Sequence, residues 1–328
     1  MKRVVIFSEI NSEFGYLYIS KLLKTPDIEL VALVTGYDSE LCTYYLKDPI
    51  QYNLKNVCLK NNVKVLQISD INSDESVHSL KLLNPDYFFI ANYQKILDKS
   101  VFNIPNKMTI VFHPSQLPKY AGLAPFFWMA KKAETESGVS AIKIAERIDA
   151  GEIIHQIPIT LKGNETSIKI RQIHFKKSVE LLELVLEKIR LDSIVLMKQN
   201  LKERTYFGAP TNNDLFLSWN MTCEQLLRTI RAGYRYPSAY FHSQLGVKIK
   251  VLTATTVPRN IFLHKRHKSH VGASFLWNDK LYINCLDGYL RIDSVDSNEG
   301  EIPFRFDIVK NINLLIDRIE LDLLETLV

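Results

Sequence analysis

Residues 4–35 read VVIFSEINSEFGYLYISKLLKTPDIELVALVT, and this stretch decides the fold class. It opens with a short apolar run at 4–7 and closes with another at 29–35. Between the two runs, residues 16–24 carry apolar side chains at helical spacing. A strand, a helix and a second strand in succession predict two parallel strands joined by a crossover helix.

The same alternation continues through the first half of the chain. Further strands are predicted at residues 63–68, 86–91, 109–112 and 140–144, and further helices at 50–62 and 76–83. Repeated strand-helix units predict an α/β fold with a doubly wound, mostly parallel, Rossmann-like sheet that binds ligands at the carboxyl ends of its strands. The turn after the first strand reads SEINS, which is not a glycine-rich dinucleotide loop, and the phosphate-loop motif GxxxxGK[ST] does not occur.

The second half of the sequence has a different pattern of predicted elements. A long helix is predicted from a capping region at 164–166 to about residue 191, and a linker rich in Gly, Pro, Thr and Asn follows at 202–213. Beyond the linker, a helix at 222–232 precedes short runs broken by turn dipeptides, which is typical of hairpin-linked strands. We therefore expect a larger domain over residues 1–203 and a smaller β-rich domain, an open barrel of OB-like form, over residues 204–328. A last helix is predicted at 308–327.

Composition excludes several classes of protein. Of the 328 residues, 46% are hydrophobic and 23% are charged, as in an ordinary globular chain rather than a disordered one. The net charge of +5 is too small and too scattered for a dedicated nucleic-acid binder. The four cysteines are far apart in sequence, which suits free thiols in a reducing compartment, and no apolar stretch is long enough to span a membrane. The sequence predicts a cytoplasmic protein without a membrane partner.

One stretch carries the signature of a reactive site. Residues 111–122 read VFHPSQLPKYAG, so a predicted strand delivers His113 at its carboxyl end and two prolines then hold a non-helical loop. Asp149 follows His113 by 36 residues, after the next predicted strand, and can reach the same edge of the sheet. Histidine beside a carboxylate is the usual general base of enzymes. Taken alone, a histidine after a strand is more often a packing residue.

These residues resemble the folate-dependent N-formyltransferases, a family that includes glycinamide ribonucleotide, methionyl-tRNA and sugar N-formyltransferases. The family hallmark is N-x-H-P-S-L-L-P-x-Y-x-G with an aspartate 36 residues after the histidine. Residues 84–97, NPDYFFIANYQKIL, are similar to the family stretch that wraps the pterin. Residues 205–207 and 230–240 resemble the start of the C-terminal domain found in several members. The resemblance covers roughly residues 1–255.

The resemblance implies a reaction and a set of site residues. The formyl group of 10-formyltetrahydrofolate, the co-substrate, passes to an amine, with His113 as general base and Asp149 orienting or relaying to it, and no metal is needed. The residues implied to bind the folate are Ile90, Ala91, Tyr93, Ile96, Leu97, Ser115, Gln116, Leu117 and Pro118. Those implied to bind the amine substrate are Asn92, Tyr206 and Phe207.

The sequence departs from the family at one position that matters. The family asparagine two residues before the histidine is Val111 here, so the side-chain amide expected to hold the formyl oxyanion is missing. Loss of one such donor costs about 2.7 to 4 kcal/mol in other enzymes. Asn92 and Gln116 are alternative amides, and a catalytically impaired folate-binding or sugar-binding relative is a further interpretation.

Charge favours one acceptor over another. Methionyl-tRNA formyltransferases insert a basic loop after the second strand, whereas residues 25–46 here contain no Lys or Arg and four acidic side chains. Phosphate backbones would be repelled by such a loop. The sequence therefore favours a nucleotide-linked amino sugar as acceptor and predicts no nucleic-acid partner. Methionyl-tRNA or another amine is the alternative, and a homodimer is possible as in relatives.

Two further motifs are interpreted as structural. His264, His267 and His270 have a spacing that resembles a metal site, but interleaved Lys and Arg indicate a solvated basic loop. The aromatic run at 126–128 is more typical of a packed helix than of a base-stacking surface.

Overall fold

The computed structural model describes residues 1–242, 246–262, 270–297 and 300–304. The strands, in chain order, are β1 (Lys2–Phe7), β2 (Ile28–Thr35), β3 (Lys64–Gln67), β4 (Tyr87–Ile90), β5 (Met108–His113), β6 (Ala121–Gly122), β7 (Glu136–Lys143), β8 (Ile153–Thr160), β9 (Tyr206–Phe207), β10 (Ala239–His242), β11 (Lys248–Val257), β12 (Ser274–Trp277), β13 (Lys280–Asn284), β14 (Tyr289–Ser297) and β15 (Gly300–Pro303). The α-helices are α1 (Glu13–Leu22), α2 (Leu54–Lys60), α3 (Asp74–Lys81), α4 (Lys99–Phe102), α5 (Pro125–Lys132), α6 (Ser167–Arg190), α7 (Asn212–Leu215) and α8 (Cys223–Gly233).

The main sheet has seven strands in the order β3-β2-β1-β4-β5-β7-β8. The pairs from β3 to β5 are parallel, and β7 and β8 add antiparallel strands at one edge. The predicted mostly parallel α/β sheet is confirmed. Because the chain winds outward from β1 to β3 and then returns to place β4 on the other side of β1, the strand order reverses between β1 and β4. A crevice for ligands forms at the carboxyl ends of strands at such a point.

Apolar side chains cover both faces of this sheet. On one face, Phe7 and Phe88 belong to a buried cluster that α3 completes with Leu80. On the other face, Phe14 of α1 stacks on Phe175 of α6, with ring centroids 5.0 Å apart. Alternate side chains of each strand therefore pack against helices on opposite faces of the sheet, as a doubly wound sheet requires.

The sequence pattern predicted most elements of the first half and missed the strands β6 and β8 and the short helix α4. The observed β1 to β5 agree with the predicted strands within two residues at each end. The longest missed element, β8, carries His155 and Gln156 between its apolar residues, and this polar pair leaves no continuous apolar run in the edge strand.

The C-terminal part of the chain contains a second, antiparallel sheet. Its strands run in the order β10-β11-β14-β13-β12, and β15 also pairs with β14. Helix α8 begins at a capping box between Thr222 and Gln225 and packs Leu226 and Ile230 into the core of this sheet. The predicted β-rich architecture is confirmed, whereas its closure into a barrel stays a prediction.

The chain divides into two compact units. The first comprises residues 1–125, 136–160 and 171–208, and the second comprises 126–135, 161–170 and the described residues from 209 onward. The domain boundary at residues 203 and 204 stays a prediction. Two expectations fall outside the described residues: the helix at 308–327, and the solvated basic loop around His264 and His267. None of the described helices combines the length and the apolar composition that crossing a bilayer requires.

The long segment between β2 and α2 is fixed to the rest of the first unit by two side chains. Asn11 donates from Nδ2 to the carbonyl oxygen of Cys42 at 3.0 Å, and its Oδ1 accepts from the Cys42 N–H at 2.9 Å. Arg171 of α6, 8% exposed, donates to Asp48 Oδ2 at 2.6 Å and to the Tyr44 carbonyl oxygen at 3.2 Å. Glu13 lies 3.7 Å from the same guanidinium. One buried arginine thus neutralises two carboxylates and holds the segment in place.

We predict that Arg171→Met lowers the free energy of unfolding by about 3 kcal/mol, because Asp48 is left buried without its counter-charge. Arg190→Met on the same helix is the control, since the Arg190 side chain is 59% exposed, and we expect a change within about 0.5 kcal/mol. Urea unfolding followed by circular dichroism measures both variants. A loss below about 1 kcal/mol for Arg171→Met would show that the ion pair contributes little to stability.

Candidate functional site

His113 is the last residue of β5 and lies in the middle of the sheet. Ser140 on β7 is its partner in register. On the other side, the pairing of β4 with β5 ends at Ile90 and Val111, so the loop after β4 lies beside His113. The imidazole is buried, with 7% of the residue exposed. The carboxyl end of a central parallel strand therefore delivers one titratable side chain to the ligand-binding edge.

The backbone of Tyr120 determines which nitrogen of His113 carries a proton. Nε2 of His113 lies 2.9 Å from the carbonyl oxygen of Tyr120. Because a carbonyl oxygen can only accept, Nε2 must donate, and a neutral ring then keeps its lone pair on Nδ1. The basic nitrogen of the neutral imidazole is consequently Nδ1.

Asp149 faces that basic nitrogen. Its Oδ2 lies 3.6 Å from Nδ1 of His113, and its side chain is 11% exposed. The carboxylate also accepts a hydrogen bond of 2.7 Å from the N–H of Gly122. A carboxylate in this position stabilises the positive charge that develops when Nδ1 takes up a proton. The structure thus brings together the two residues that the sequence predicted as a catalytic pair.

The backbone at Asp149 is held in an unusual conformation. Its φ is +53°, in the left-handed region that asparagine and aspartate adopt more readily than other residues with a Cβ atom. Gln199 donates from Nε2 to the carbonyl oxygens of both Asp149 and Gly151, at 2.9 and 2.7 Å. Sequence reasoning missed Gln199, because a side chain that bonds to distant carbonyls belongs to no periodic pattern.

The segment after α6 returns to the site and adds a short parallel strand beside the loop that follows His113. β9 pairs with β6, so that Ala121 lies beside Tyr206 and Gly122 beside Phe207. Thr205 accepts a hydrogen bond of 2.8 Å from the Tyr120 N–H on its Oγ1. This pairing fixes the Tyr120 peptide, whose carbonyl oxygen orients His113.

Gly122 has a φ of +94°, and a Cβ atom there would meet the Phe207 carbonyl oxygen at 2.3 Å and Cε2 of Tyr206 at 2.8 Å. Glycine is therefore required for the close approach of the two short strands.

Three polar side chains fix the loop that follows His113. Ser140 Oγ donates to the Ser115 carbonyl oxygen at 2.6 Å and accepts from the Leu117 N–H at 3.0 Å. Gln156 Nε2 donates to Ser140 Oγ at 2.7 Å and to the Leu117 carbonyl oxygen at 2.8 Å. Ser115 Oγ donates to the Lys119 carbonyl oxygen at 2.7 Å. Hydrogen bonds rather than proline alone therefore determine the path of this loop.

The residues predicted to bind folate differ in exposure. Ile90, Ala91, Ser115 and Leu117 are buried, and Leu97 lies with Ile90 and the partly buried Tyr93 in the apolar cluster under α3. Pro118 is half-buried, and Gln116 and Ile96 are exposed. Their contact with folate stays a prediction.

The two alternative amides have different surroundings. Asn92 has a φ of +59° and donates from Nδ2 to Ser12 Oγ at 3.1 Å, so its amide faces the loop after β1. Gln116 packs closely against Gly138 of β7. A Cβ atom added to Gly138 would lie 3.0 Å from the Cβ of Gln116. Neither contact involves His113.

Glu9 is a buried carboxylate at the crevice that sequence reasoning missed. It is 8% exposed; its N–H donates to the Asn92 carbonyl oxygen at 2.8 Å and its Oε1 accepts from the Gln94 N–H at 2.9 Å. Burial raises the pKa of Glu9, an effect opposed by the Gln94 hydrogen bond and by the charge of Lys95. These contacts join the loops after β1 and β4 where the strand order reverses.

Val111 occupies the position of the family asparagine and has apolar surroundings. It pairs with Ile90 on one side and Ile142 on the other, and it packs against Leu117 and Ile153. At the position where the family has an amide side chain, this protein therefore presents hydrocarbon.

Metal-binding geometry is not found in the described part of the chain. No group of three or more His, Cys, Asp or Glu side chains within it is arranged to hold an ion.

Comparison with solved structures gives proteins of the same fold. The N-formyltransferase from Helicobacter canadensis in complex with folinic acid and dTDP-3-aminofucose superposes with a TM-score of 0.64 at 20% identity, covering 89% of this chain and 98% of that one. HypX from Aquifex aeolicus in complex with tetrahydrofolic acid gives a TM-score of 0.60 at 17% identity, covering 94% of this chain and 46% of that one. At these identities the likeness shows the fold alone.

Comparison of sequences identifies the family. A methionyl-tRNA formyltransferase from Buchnera aphidicola is 31% identical over 205 residues, which are 62% of this chain and 65% of that protein. The chain thus matches somewhat less than two thirds of the length of this relative. The formyl transferase family model matches residues 1–186, and the model of the formyl transferase C-terminal domain matches residues 211–302. Since the first match alone covers more than half of the sequence, the chain belongs to the formyl transferase family.

Proposed function

We propose that this protein transfers the formyl group of 10-formyltetrahydrofolate to the amine of a nucleotide-linked amino sugar. The observation that carries the proposal is the convergence of His113 Nδ1 and Asp149 Oδ2, 3.6 Å apart, at the carboxyl end of β5. Membership of the formyl transferase family supports formyl transfer as the reaction.

The residues perform the proton transfer that this reaction needs. The amine nitrogen adds to the formyl carbon, and the resulting ammonium group must lose a proton before the intermediate collapses to a formamide and tetrahydrofolate. Nδ1 of His113 accepts that proton, because Nε2 is already committed to the Tyr120 carbonyl oxygen. Asp149 stabilises the imidazolium that forms, and the imidazolium then gives its proton to N10 of the departing tetrahydrofolate. Val111 offers no amide to the formyl oxygen, so a different donor must stabilise its negative charge.

Folate is proposed to lie against the loops after β4 and β5. The predicted residues Ser115, Leu117 and Pro118 form one side of this region and Ala91 to Leu97 the other. The relatives from H. canadensis and A. aeolicus hold folinic acid and tetrahydrofolic acid, which supports a folate donor.

The segment between β2 and α2 supports a small acceptor. Asp38 and Glu40 lie in this segment, where they pair with Lys55 and Lys95. Arg171 and Asn11 fix the same segment in place. Neutralising the phosphates of an acceptor stem requires several Lys and Arg side chains, and Lys47 is the single basic residue between β2 and α2. The relative that holds dTDP-3-aminofucose gives an example of the proposed acceptor class.

Methionyl-tRNA is the second candidate acceptor. It is favoured by the curated relatives, since a methionyl-tRNA formyltransferase from Thermodesulfovibrio yellowstonii is 29% identical over 73% of this chain.

The acceptor is tested by incubating the protein with 10-formyltetrahydrofolate and a panel of nucleotide-linked 3-amino and 4-amino sugars, with methionyl-tRNA in a parallel reaction. We expect tetrahydrofolate to form with at least one amino sugar and not with the tRNA. Formation with the tRNA alone would reverse the proposed choice of acceptor. Tight folate binding without turnover on any acceptor would indicate a relative that has lost catalysis.

We predict that His113→Asn lowers kcat at least roughly a hundredfold while leaving folate affinity nearly unchanged, because the general base acts in the transition state. Single-turnover formyl transfer and equilibrium folate binding measure the two quantities. His78→Asn, on the exposed side of α3, serves as the control. A near-normal rate in His113→Asn would show that the base is another group.

We predict that Val111→Asn does not raise kcat and lowers the free energy of unfolding by about 1 to 3 kcal/mol, because the new amide enters hydrocarbon surroundings. Val111→Ala is the matched control, since it removes the same packing without adding an amide. A rise in kcat for Val111→Asn alone would mean that the site lacks an oxyanion donor.

A further inference from the structure

Asp149 lies in the loop that connects β7 to β8, residues 144–152. A backbone hydrogen bond of 3.1 Å from the Ala150 N–H to the Arg147 carbonyl oxygen closes a turn around Asp149. Within this turn Asp149 has a φ of +53°, in the left-handed region. A residue with a Cβ atom stays in that region only when its surroundings impose it. The contacts that impose this backbone conformation on Asp149 therefore determine the direction of its carboxylate.

Those contacts come from the segment after α6. Met197 and Ile153 exchange backbone hydrogen bonds of 2.9 and 2.7 Å, so the segment runs beside the end of the loop. Gln199 then donates from Nε2 to the carbonyl oxygen of Asp149 at 2.9 Å and to that of Gly151 at 2.7 Å. Of these contacts, those of Gln199 reach Asp149 itself.

The two hydrogen bonds of Gln199 oppose rotation of the loop backbone. A carbonyl oxygen only accepts, so both bonds require the amide nitrogen of Gln199 as donor. They fix the planes of the peptide groups that follow Asp149 and Gly151. The loop also packs directly on β7, since a Cβ atom added to Gly151 would overlap the Lys143 carbonyl oxygen. A change of backbone conformation at Asp149 must therefore break a bond to Gln199.

The position of the Asp149 carboxylate depends on this backbone. Its Oδ2 accepts from the Gly122 N–H at 2.7 Å and lies 3.6 Å from Nδ1 of His113. At 3.6 Å the carboxylate acts on the imidazole through its charge rather than through a direct hydrogen bond. Charge stabilisation of this kind is effective when the charged group is already in place before the reaction. Loosening the loop would remove that advantage without removing the carboxylate.

We propose that Gln199 is a positioning residue for formyl transfer. By bridging the carbonyl oxygens of Asp149 and Gly151, it holds the Asp149 carboxylate opposite Nδ1 of His113. It acts through Asp149 and not on the reacting atoms. The inference rests on the proposed function, in which His113 is the general base.

The inference is tested by a double-mutant cycle that combines Gln199→Met with Asp149→Asn. The kcat of each protein is measured with saturating 10-formyltetrahydrofolate and a saturating acceptor that the wild type formylates. Methionine has nearly the length of glutamine but no hydrogen-bond donor. Asparagine also adopts the left-handed region and keeps an oxygen that can accept from the Gly122 N–H, so Asp149→Asn removes the charge and keeps the shape.

The two backgrounds should respond differently to the loss of Gln199. In the wild-type background we expect Gln199→Met to lower kcat roughly 10- to 100-fold, the effect of a misplaced catalytic group. In the Asp149→Asn background we expect a further loss of less than about threefold, because residues that act through one another are not additive. A side chain that merely stabilises the fold would lower kcat by the same factor in both backgrounds.

Gln51 provides the matched control. Its Nε2 also bridges two carbonyl oxygens of a loop, that of Tyr45 at 3.0 Å and that of Asp48 at 2.6 Å. Gln51→Met removes the same kind of bridge from a different loop. We expect its kcat to stay close to that of the wild type in both backgrounds.

A spectroscopic measurement reports the same geometry without turnover. In long-range ¹H–¹⁵N correlation spectra of the neutral His113 ring, Gln199→Met should move the Nδ1 signal in the same direction as Asp149→Asn does. Gln51→Met should leave that signal in place.

The outcomes that contradict the inference differ from those that contradict the proposed function. A wild type that formylates no acceptor refutes the proposed function, and the spectra alone then decide the inference. In an active wild type, an unchanged kcat for Gln199→Met, or an equal loss in the two backgrounds, refutes the inference alone. An unmoved Nδ1 signal in Gln199→Met contradicts it in either case.

Discussion

The hydrogen bond between Nε2 of His113 and the carbonyl oxygen of Tyr120 is the contact on which the candidate site depends. It fixes the imidazole ring and leaves Nδ1 as the basic nitrogen, opposite Asp149. Tyr120 is itself held by Thr205, 85 residues further along the chain. The sheet therefore supplies the histidine, while the segment after α6 determines how its ring is oriented. A substitution in that segment can alter catalysis without touching either substrate.

Much of the fold and the reactive pair could be predicted from the sequence for physical reasons. Buried parallel strands are continuous apolar runs, so β1 to β5 were visible, and a histidine at the end of such a run must reach the ligand-binding edge. The edge strand β8 was not predicted, because polar residues interrupt its apolar run. Gln199 and the hydrogen-bonding role of Thr205 were not predicted, since side-chain hydrogen bonds to distant backbone atoms follow no sequence period. The direction of the Asn92 amide depends on a φ of +59°, which its neighbours in sequence do not reveal.

Hydrocarbon surrounds Val111 in the sheet. Ile90 of β4 and Ile142 of β7 flank it, and Leu117 and Ile153 belong to the apolar cluster against which it packs. Valine is compatible with these surroundings although the family has asparagine there.

The central claim is that the neutral imidazole of His113 carries its proton on Nε2 and keeps Nδ1 as the base. Long-range ¹H–¹⁵N correlation spectra of protein labelled with ¹⁵N-histidine distinguish the two tautomers directly, and His113→Asn identifies the signal. The account predicts that, in the neutral ring, the protonated nitrogen of His113 is Nε2. A neutral ring protonated on Nδ1 would contradict it, because the base would then face the Tyr120 carbonyl oxygen.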